Sequence, residues 1–271
     1  MKKIDNKKQL MVFTLLIIIF MWCVIFIVQN IVLDKIHRVK GDMLKNIYEE
    51  SIGSDSNVKN PLSEFTQINN EFIGWLKVGE SLLPVVQAKD NVKYLTLDLY
   101  EKYDKRGTPF LDYRNNAESL GETMLIYGHN YNYSQEMFYE VEKLKNPEYT
   151  NKYPYILFNT IYGEKKYVIV AVFIVDINED GVFDYNNSFL LNDEENRRDF
   201  VENISVRNLL STNLSFDMED RLIMLSTCGY DFLTERIVAV GKLVDTEIEE
   251  PIYKKNPNPL LPQIWKRLYD K

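Results

Sequence analysis

The sequence predicts a mainly β fold, a closed or nearly closed barrel with peripheral helices, preceded by an N-terminal transmembrane helix. Three observations lead to this prediction. An uninterrupted apolar run, Leu10–Val28, lies near the N-terminus. Short β-type runs with few helical stretches then fill residues 71–245, a pattern typical of barrels. A tail rich in proline and charge, residues 246–271, follows them and is predicted to be an extended appendage.

The apolar run is long enough to cross a membrane. At about 1.5 Å per residue, a helix over Leu10–Val28 would span about 28 Å, close to the thickness of a bilayer's hydrocarbon core. No small-x-small cleavage site follows the run, so an anchor is favoured over a cleaved signal peptide. Four lysines precede it and predict a cytoplasmic N-terminus with the rest of the chain outside, although three basic residues follow the run. The preceding lysines are Lys2, Lys3, Lys7 and Lys8, and the following residues are Lys35, Arg38 and Lys40.

Changes in composition predict five segments. They are a cytoplasmic tail (1–9), the anchor (10–28), a juxtamembrane helix and linker (29–59), an outer domain (60–245) and a charged, Pro-rich tail (246–271). The juxtamembrane helix is expected over residues 34–50, with a flexible break at 51–57.

Eight β-type runs predict the strands of the outer domain. They are residues 72–78, 83–86, 108–112, 123–127, 155–158, 166–173, 222–227 and 237–244. The last two lack alternation between apolar and polar residues, which predicts burial on both faces. Helices are predicted over residues 61–70, 134–144 and 194–210, with a short one around Trp265.

The charge and the cysteine count exclude several classes of function. A formal net charge of -8 with no basic block beyond the N-terminal lysines argues against a nucleic-acid partner. Cys23 lies in the apolar run, which leaves Cys228 as the one thiol of the outer portion and excludes a disulfide there. His37 is juxtamembrane, so His129 is the one histidine deeper in the domain. A structural Cys/His zinc site is therefore excluded.

Three residues form a candidate nucleophilic site. Cys228 ends one predicted strand and Arg236 begins the next, so antiparallel pairing would place their Cβ atoms roughly 5 Å apart. A guanidinium there would favour a thiolate or a developing oxyanion. His129 follows an earlier strand, at a loop position where catalytic groups commonly lie. Taken singly, each residue also fits an ordinary role: a buried small hydrophobe, a hydrogen-bonded histidine and a solvated arginine.

These residues lie in motifs that resemble those of the sortase family, class B. Leu225–Cys228 followed by Arg236–Val238 is similar to the nucleophile and arginine strands of sortases, and Tyr127–Asn130 is similar to their histidine segment. Pro84–Gln87 and Gly107–Asn115 are similar to class B motifs. The resemblance covers roughly residues 60–245. It departs at Met224, where a Thr is usual, and at Gly229 and Tyr230, where some members carry an acidic pair.

The resemblance implies a cysteine transpeptidase without a cofactor. Cys228 would attack the carbonyl after the threonine of a C-terminal sorting signal on a secreted protein, forming a thioacyl intermediate. His129 would act as acid and base, and Arg236 would stabilise the oxyanion or orient the substrate. An amine of the peptidoglycan precursor would resolve the intermediate. The residues implied to line the substrate groove are Asn91, Leu95, Tyr127 and Ser226.

Other functions remain open at this stage. A pilin polymerase, which would use a pilin lysine as the acceptor, fits the same motifs. So does a hydrolytic cysteine protease. A membrane-tethered binding domain with an inert thiol is the non-enzymatic alternative. The segment Asp176–Asp184 resembles the start of a calcium loop, but Asn187 stands where the bidentate Glu would be needed, so a polar turn is predicted instead.

Overall fold

The computed structural model describes residues 6–53, 61–118, 123–188, 194–245 and 248–269. The chain forms two compact units, Met1–Pro61 and Leu62–Lys271. Some predicted features lie outside the described residues. They are Lys2 and Lys3 with the rest of residues 1–5, residues 54–57 of the predicted break, and residues 246–247 and 270–271 of the tail.

The first unit is built on one long helix, α1 (Asn6–Gly53). Every residue of Leu10–Val28 is exposed, on all sides of the helix, so this stretch requires an apolar surrounding. Among the described residues, α1 is the one helix long and apolar enough to cross a membrane, with a mean hydropathy of 3.1 in its most apolar window. This suggests membrane anchoring. The predicted juxtamembrane helix is a continuation of the same helix, because its one helix-breaking residue, Gly41, costs only about 1 kcal/mol.

The second unit contains twelve strands among its described residues. The strands are β1 (Phe72–Val78), β2 (Ser81–Val86), β3 (Phe110–Leu111), β4 (Thr123–Tyr127), β5 (Asn130–Tyr131), β6 (Glu136–Met137), β7 (Tyr155–Thr160), β8 (Gly163–Asp176), β9 (Leu210–Thr212), β10 (Leu222–Cys228), β11 (Glu235–Leu243) and β12 (Tyr253–Lys255). The helices are α2 (Phe65–Ile68), α3 (Tyr139–Lys143), α4 (Pro147–Lys152), α5 (Tyr185–Ser188), α6 (Glu194–Arg207) and α7 (Gln263–Tyr269), with 3₁₀ turns at Pro61–Glu64 and Lys93–Leu95.

Eight of these strands close into a barrel, in the order β1-β2-β3-β4-β10-β11-β8-β7. The closed barrel with peripheral helices confirms the predicted fold class. Two pairings are parallel, β2 with β3 and β4 with β10, and the others around the barrel are antiparallel. Because β4 and β10 run in the same direction, their C-terminal ends meet at one end of the barrel.

Strands β10 and β11 are buried on both faces, as predicted. Alternate residues of β10 divide between two apolar clusters, with Ile223 and Leu225 in one and Leu222 and Met224 in the other. The second cluster also contains residues of α6, including Phe200 and Ile204. The α6 helix therefore covers a face of the sheet that would otherwise meet water.

Two predicted helices differ from the observed elements. Residues 134–144 were expected to be one helix, but Gln135 and Met137 have φ values of 56° and 57°, which an α-helix does not allow, and α3 begins only at Tyr139. The helix predicted over 194–210 ends at Arg207. There the side chain of Asn208 bonds the backbone of Val170 and Val172 in β8, and the next residues form β9.

The C-terminal segment lies against the barrel rather than extending from it. Strand β12 pairs with β9, and the Tyr253 hydroxyl donates to the Ile169 carbonyl at 2.6 Å. A short helix, α7, follows at the position predicted around Trp265. The segment therefore belongs to the second compact unit.

Candidate active site

Cys228 and Arg236 face each other across neighbouring strands. Cys228 is the last residue of β10, Arg236 is the second residue of β11, and the antiparallel register makes them direct partners. The Nη1 atom of Arg236 donates to the Glu235 carbonyl at 2.9 Å, which restrains the guanidinium beside the strand end. The cross-strand pairing agrees with the prediction.

His129 reaches the same end of the barrel through the parallel pairing of β4 with β10. Beyond the end of β4, Gly128 N donates to the Ser226 carbonyl at 3.2 Å, and Thr227 Oγ1 donates to the Gly128 carbonyl at 2.7 Å. A Cβ atom on Gly128 would lie only 2.8 Å from the ring of the buried Phe138. Glycine is thus required for this close approach, and it places the next residue, His129, beside the end of β10.

A backbone carbonyl orients the imidazole of His129. Its Nε2 lies 2.9 Å from the carbonyl oxygen of Leu95 in the 3₁₀ turn. A carbonyl oxygen only accepts, so Nε2 must carry the proton in this contact. In the neutral ring Nδ1 is then the free acceptor, and it is the atom through which His129 can exchange a second proton.

Asn130 holds the backbone of the nucleophile strand. Its Nδ2 donates to the Cys228 carbonyl at 3.0 Å and to Glu142 Oε2 at 2.6 Å. Asn130 itself is buried, whereas Glu142 and Cys228 are partly exposed. Asn130 belongs to the predicted histidine segment, but nothing in the sequence pattern marks its contact with the Cys228 backbone.

Asn91 and Tyr127 meet at one carboxylate oxygen. Asn91 Nδ2 and the Tyr127 hydroxyl donate to Asp112 Oδ2 at 2.9 Å and 3.2 Å, and Arg114 adds a two-pronged ion pair at 2.7 and 2.8 Å. Burial raises the pKa of Asp112, but the bonds from Arg114 and Asn91 outweigh it and bring the pKa below its usual value. Burial and the Asp112 charge raise the pKa of Tyr127, which therefore stays protonated and can donate.

We expect Asp112→Asn to lower the free energy of unfolding by about 2–3 kcal/mol, since it removes charge-assisted bonds from a buried site. Because the pKa is lowered from 3.8 in the folded state, this stabilisation is present above about pH 4 and is lost as the pH falls further. The deficit of the variant should therefore shrink below pH 4. Urea unfolding followed by near-UV circular dichroism measures it. Asp217→Asn, at an exposed turn, is the control, and an equal loss in both variants would contradict the prediction.

Ser226, two residues before the end of β10, forms a hydrogen bond with Tyr185. Its Oγ lies 2.8 Å from the hydroxyl of Tyr185, and both residues are buried. Burial raises the pKa of Tyr185, the bond with Ser226 and the positive charge of Arg236 lower it, and the charge of Cys228 raises it. Tyr185 thus lies within electrostatic reach of both members of the Cys228–Arg236 pair, a proximity that no motif in the sequence predicts.

The predicted site residues fall into three connected groups. Cys228 and Arg236 are strand partners, His129 is bonded to Leu95, and Asn91 is joined to Tyr127 through Asp112. Ser226 is the register partner of Tyr127. Leu95 is the most exposed of the four predicted groove residues, at 36%. No group of three or more His, Cys, Asp or Glu side chains among the described residues is placed to hold a metal ion.

Known proteins resemble this chain in both sequence and fold. No family model matches it. Sortase B of Staphylococcus aureus is 26% identical over 226 residues, covering 80% of this chain and 89% of the relative, and sortase B of Listeria monocytogenes is 26% identical over 210 residues, covering 75% and 83%. The crystal structure of Clostridium perfringens sortase B has a TM-score of 0.61 at 26% identity, covering 68% of this chain and 99% of that structure. The chain is sortase B-like.

A further structure extends the likeness in fold. The S. aureus sortase B–substrate complex has a TM-score of 0.70 at 23% identity and covers 79% of this chain and 99% of that structure. The relationships in sequence and in fold both support a sortase B-like protein. They agree with the resemblance seen in the sequence motifs.

Proposed function

We propose that this sortase B-like protein cleaves a C-terminal sorting signal of secreted proteins after its threonine and transfers the acyl group to a cell-wall amine. The observation that carries the proposal is the pairing of Cys228 with Arg236 at the barrel end to which β4 brings His129. At this end of the barrel, the thiol supplies a nucleophile, the guanidinium a donor to an oxyanion, and the imidazole a proton carrier.

In the first half of the proposed reaction, the thiolate of Cys228 attacks the carbonyl carbon of the threonine. A tetrahedral intermediate forms, with negative charge on the former carbonyl oxygen. Arg236 has five N–H donors, and the bond to Glu235 engages one of them at Nη1, so the fork is held in a defined direction for donation to that oxygen. His129 protonates the leaving amine as the C–N bond breaks, which leaves a thioacyl group on Cys228.

In the second half, an amine replaces the thiol. The incoming neutral amine attacks the thioester carbon, and His129, now neutral, takes the proton that the amine nitrogen loses as the amide forms. The C–S bond breaks and Cys228 returns as a thiolate. The Nε2 bond to the Leu95 carbonyl supports this role, because it fixes the ring while Nδ1 gains and loses the proton.

The four predicted groove residues are proposed to act in substrate binding. Leu95 offers an exposed side chain beside His129, in the same turn whose carbonyl holds the imidazole. Asn91, Tyr127 and Ser226 are engaged within the protein, so we propose that they shape the groove wall through Asp112 and Tyr185.

We also propose a location for this reaction. The apolar stretch of α1 would cross the membrane once, with the N-terminus in the cytoplasm and the barrel outside. Both proposed reactants, a secreted protein and a peptidoglycan precursor, would then be on the barrel's side of the membrane.

The full chain, reconstituted in detergent, should form a thioacyl adduct on Cys228 when it is incubated with a library of sorting-signal peptides. Intact-protein mass spectrometry identifies the adduct, and added amines then show which acceptor resolves it. Faster release by a peptidoglycan-type amine than by water supports the proposal. Preference for a pilin lysine would favour polymerisation, release by water alone would favour a protease, and no adduct with any peptide would favour a binding domain.

A further inference from the structure

The loop between β10 and β11 joins the proposed nucleophile to the proposed oxyanion donor, and Glu235 lies at its base. The carbonyl oxygen of Glu235 accepts from Gly229 N at 3.2 Å and from Arg236 Nη1 at 2.9 Å. One residue therefore contacts both the residue after Cys228 and the guanidinium of Arg236.

The side chain of Glu235 turns back into the same loop. It is fully buried, and its Oε2 accepts from Asp231 N at 2.9 Å. A Cβ atom on Gly229 would collide with this carboxylate, so the residue after Cys228 has to be small for the carboxylate to occupy its place. The carboxylate thus fills the space directly behind the nucleophile.

The second carboxylate oxygen is held by charge rather than by a hydrogen bond. Glu235 Oε1 is buried without a hydrogen-bond partner within the described part of the chain, and Lys145 Nζ lies 3.9 Å from it. Lys145 also pairs with Asp231 at 3.0 Å and with Glu142 at 3.5 Å. An unpaired buried carboxylate would be costly, so this lysine is what allows an ionised Glu235 behind the site.

We propose that Glu235 is a positioning residue for the transpeptidation reaction, and that its ion pair with Lys145 holds the Cys228–Arg236 loop in its active arrangement. This inference rests on the proposed function for its link to catalysis. Glu142 connects the same cluster to the Cys228 backbone through Asn130, so Lys145 restrains the nucleophile strand from two sides. The ring centroid of Trp265 in α7 lies 5.8 Å from Lys145 Nζ, so the C-terminal helix also contacts this lysine.

The ionisation of Glu235 gives the proposal a distinctive signature. Burial raises the pKa of Glu235 to about 6, with Asp231 and Glu142 adding to the rise and Asp231 N–H and Lys145 opposing it. Protonation below pH 6 removes the attraction to Lys145 while leaving the shape of the side chain almost unchanged. The loop should therefore loosen as the pH falls through about 6.

The test compares the full chain with its Glu235→Gln and Lys145→Met variants, all carrying Cys23→Ser so that Cys228 is the one thiol. Single-turnover acylation by a sorting-signal peptide is measured from pH 5 to pH 8.5. We expect the acylation rate of the wild type to exceed that of Glu235→Gln by roughly tenfold at pH 7.5. The two rates should become similar at pH 5, and the midpoint of this change in their ratio should lie near pH 6. In Lys145→Met the charge that lowers the pKa of Glu235 is lost, so the low-pH decline in acylation should move to higher pH.

Glu140→Gln is the matched control, because Glu140 is also buried but its carboxylate pairs with Lys143 at 3.1 Å and accepts from Glu80 N at 3.2 Å, away from the loop. The ratio of its acylation rate to that of the wild type should not vary with pH. A ratio between wild type and Glu235→Gln that is constant across the pH range would overturn the proposal.

A second measurement needs no substrate, and it separates this inference from the proposed function. At a fixed pH of about 7.5, amide hydrogen exchange of residues 229–234 and the rate of Cys228 alkylation by iodoacetamide should both be faster in Glu235→Gln than in the wild type. If they do so while no peptide acylates Cys228, the proposed function fails and the positioning role stands. Normal acylation with unchanged exchange in Glu235→Gln would refute the positioning role alone.

Discussion

Cys228→Ala should lower the rate of acyl transfer by about 10⁴-fold or more while leaving the fold intact. Covalent catalysis has no path without its nucleophile, and removal of a comparable nucleophile in other enzymes costs on this scale. Cys228 is partly exposed at the end of β10, so its replacement leaves no large cavity in the barrel. The measurement is the initial rate of amine-dependent transfer on a sorting-signal peptide.

Cys23→Ser is the matched control, since it removes the other thiol of the chain. Cys23 lies in α1, far along the sequence from the barrel, so this variant should keep full activity. Full activity in Cys228→Ala would defeat the proposed mechanism. Unchanged near-UV circular dichroism in both variants would show that the loss is chemical rather than structural.

Arg236→Lys should lower the rate of Cys228 acylation by roughly 10²-fold or more. Lysine keeps the positive charge but lacks the planar fork of donors, and removal of one oxyanion donor typically costs 10²–10³-fold. Arg236 is directed by its bond to the Glu235 carbonyl and by its register position opposite Cys228, and a flexible ammonium group would not reproduce that direction. The measurement is single-turnover acylation in the wild type, Arg236→Lys and Arg236→Ala.

The comparison of the two variants distinguishes two physical roles. If the charge alone matters, Arg236→Lys keeps near-normal acylation and only Arg236→Ala loses it. If directed donation matters, both variants are impaired by similar factors. Arg221→Lys is a suitable control, because Arg221 is an exposed residue whose ion pair with Asp245 at 3.5 Å lies at the opposite end of β10.

The eight barrel strands were predictable from sequence because local patterns determine them, whereas the four short strands outside the barrel, β5, β6, β9 and β12, were not predicted. The barrel strands have continuous apolar or β-branched runs, and the short loop after Cys228 allows only a hairpin, which places Arg236 opposite Cys228. The failed helix over residues 134–144 has a local cause that composition does not reveal. Left-handed backbone at Gln135 and Met137 turns the chain into the β5–β6 hairpin instead.

The site's supporting contacts could not be predicted in the same way. The Leu95 carbonyl on His129 is a backbone group, and no residue type marks it. Asp112 joins Asn91 to Tyr127 only after three separate segments have packed together. In the sequence, Glu235 has the pattern of an ordinary polar residue at the start of a strand. Its burial depends on Gly229, six positions earlier, which leaves room for the carboxylate.

The parallel ladder between β4 and β10 has a consequence for folding. The bond from Thr227 to Gly128 joins residues 99 positions apart, whereas Cys228 and Arg236 are close in sequence. Closing so long a loop is entropically costly, and non-local strand pairing is typically slow to form. The hairpin that carries the thiol and the guanidinium can therefore form early, but the imidazole joins it only when the β4–β10 seam closes. A newly synthesised chain would thus carry a thiol without its imidazole partner until one of its longest-range strand pairings is made, and the onset of activity would report completion of the barrel.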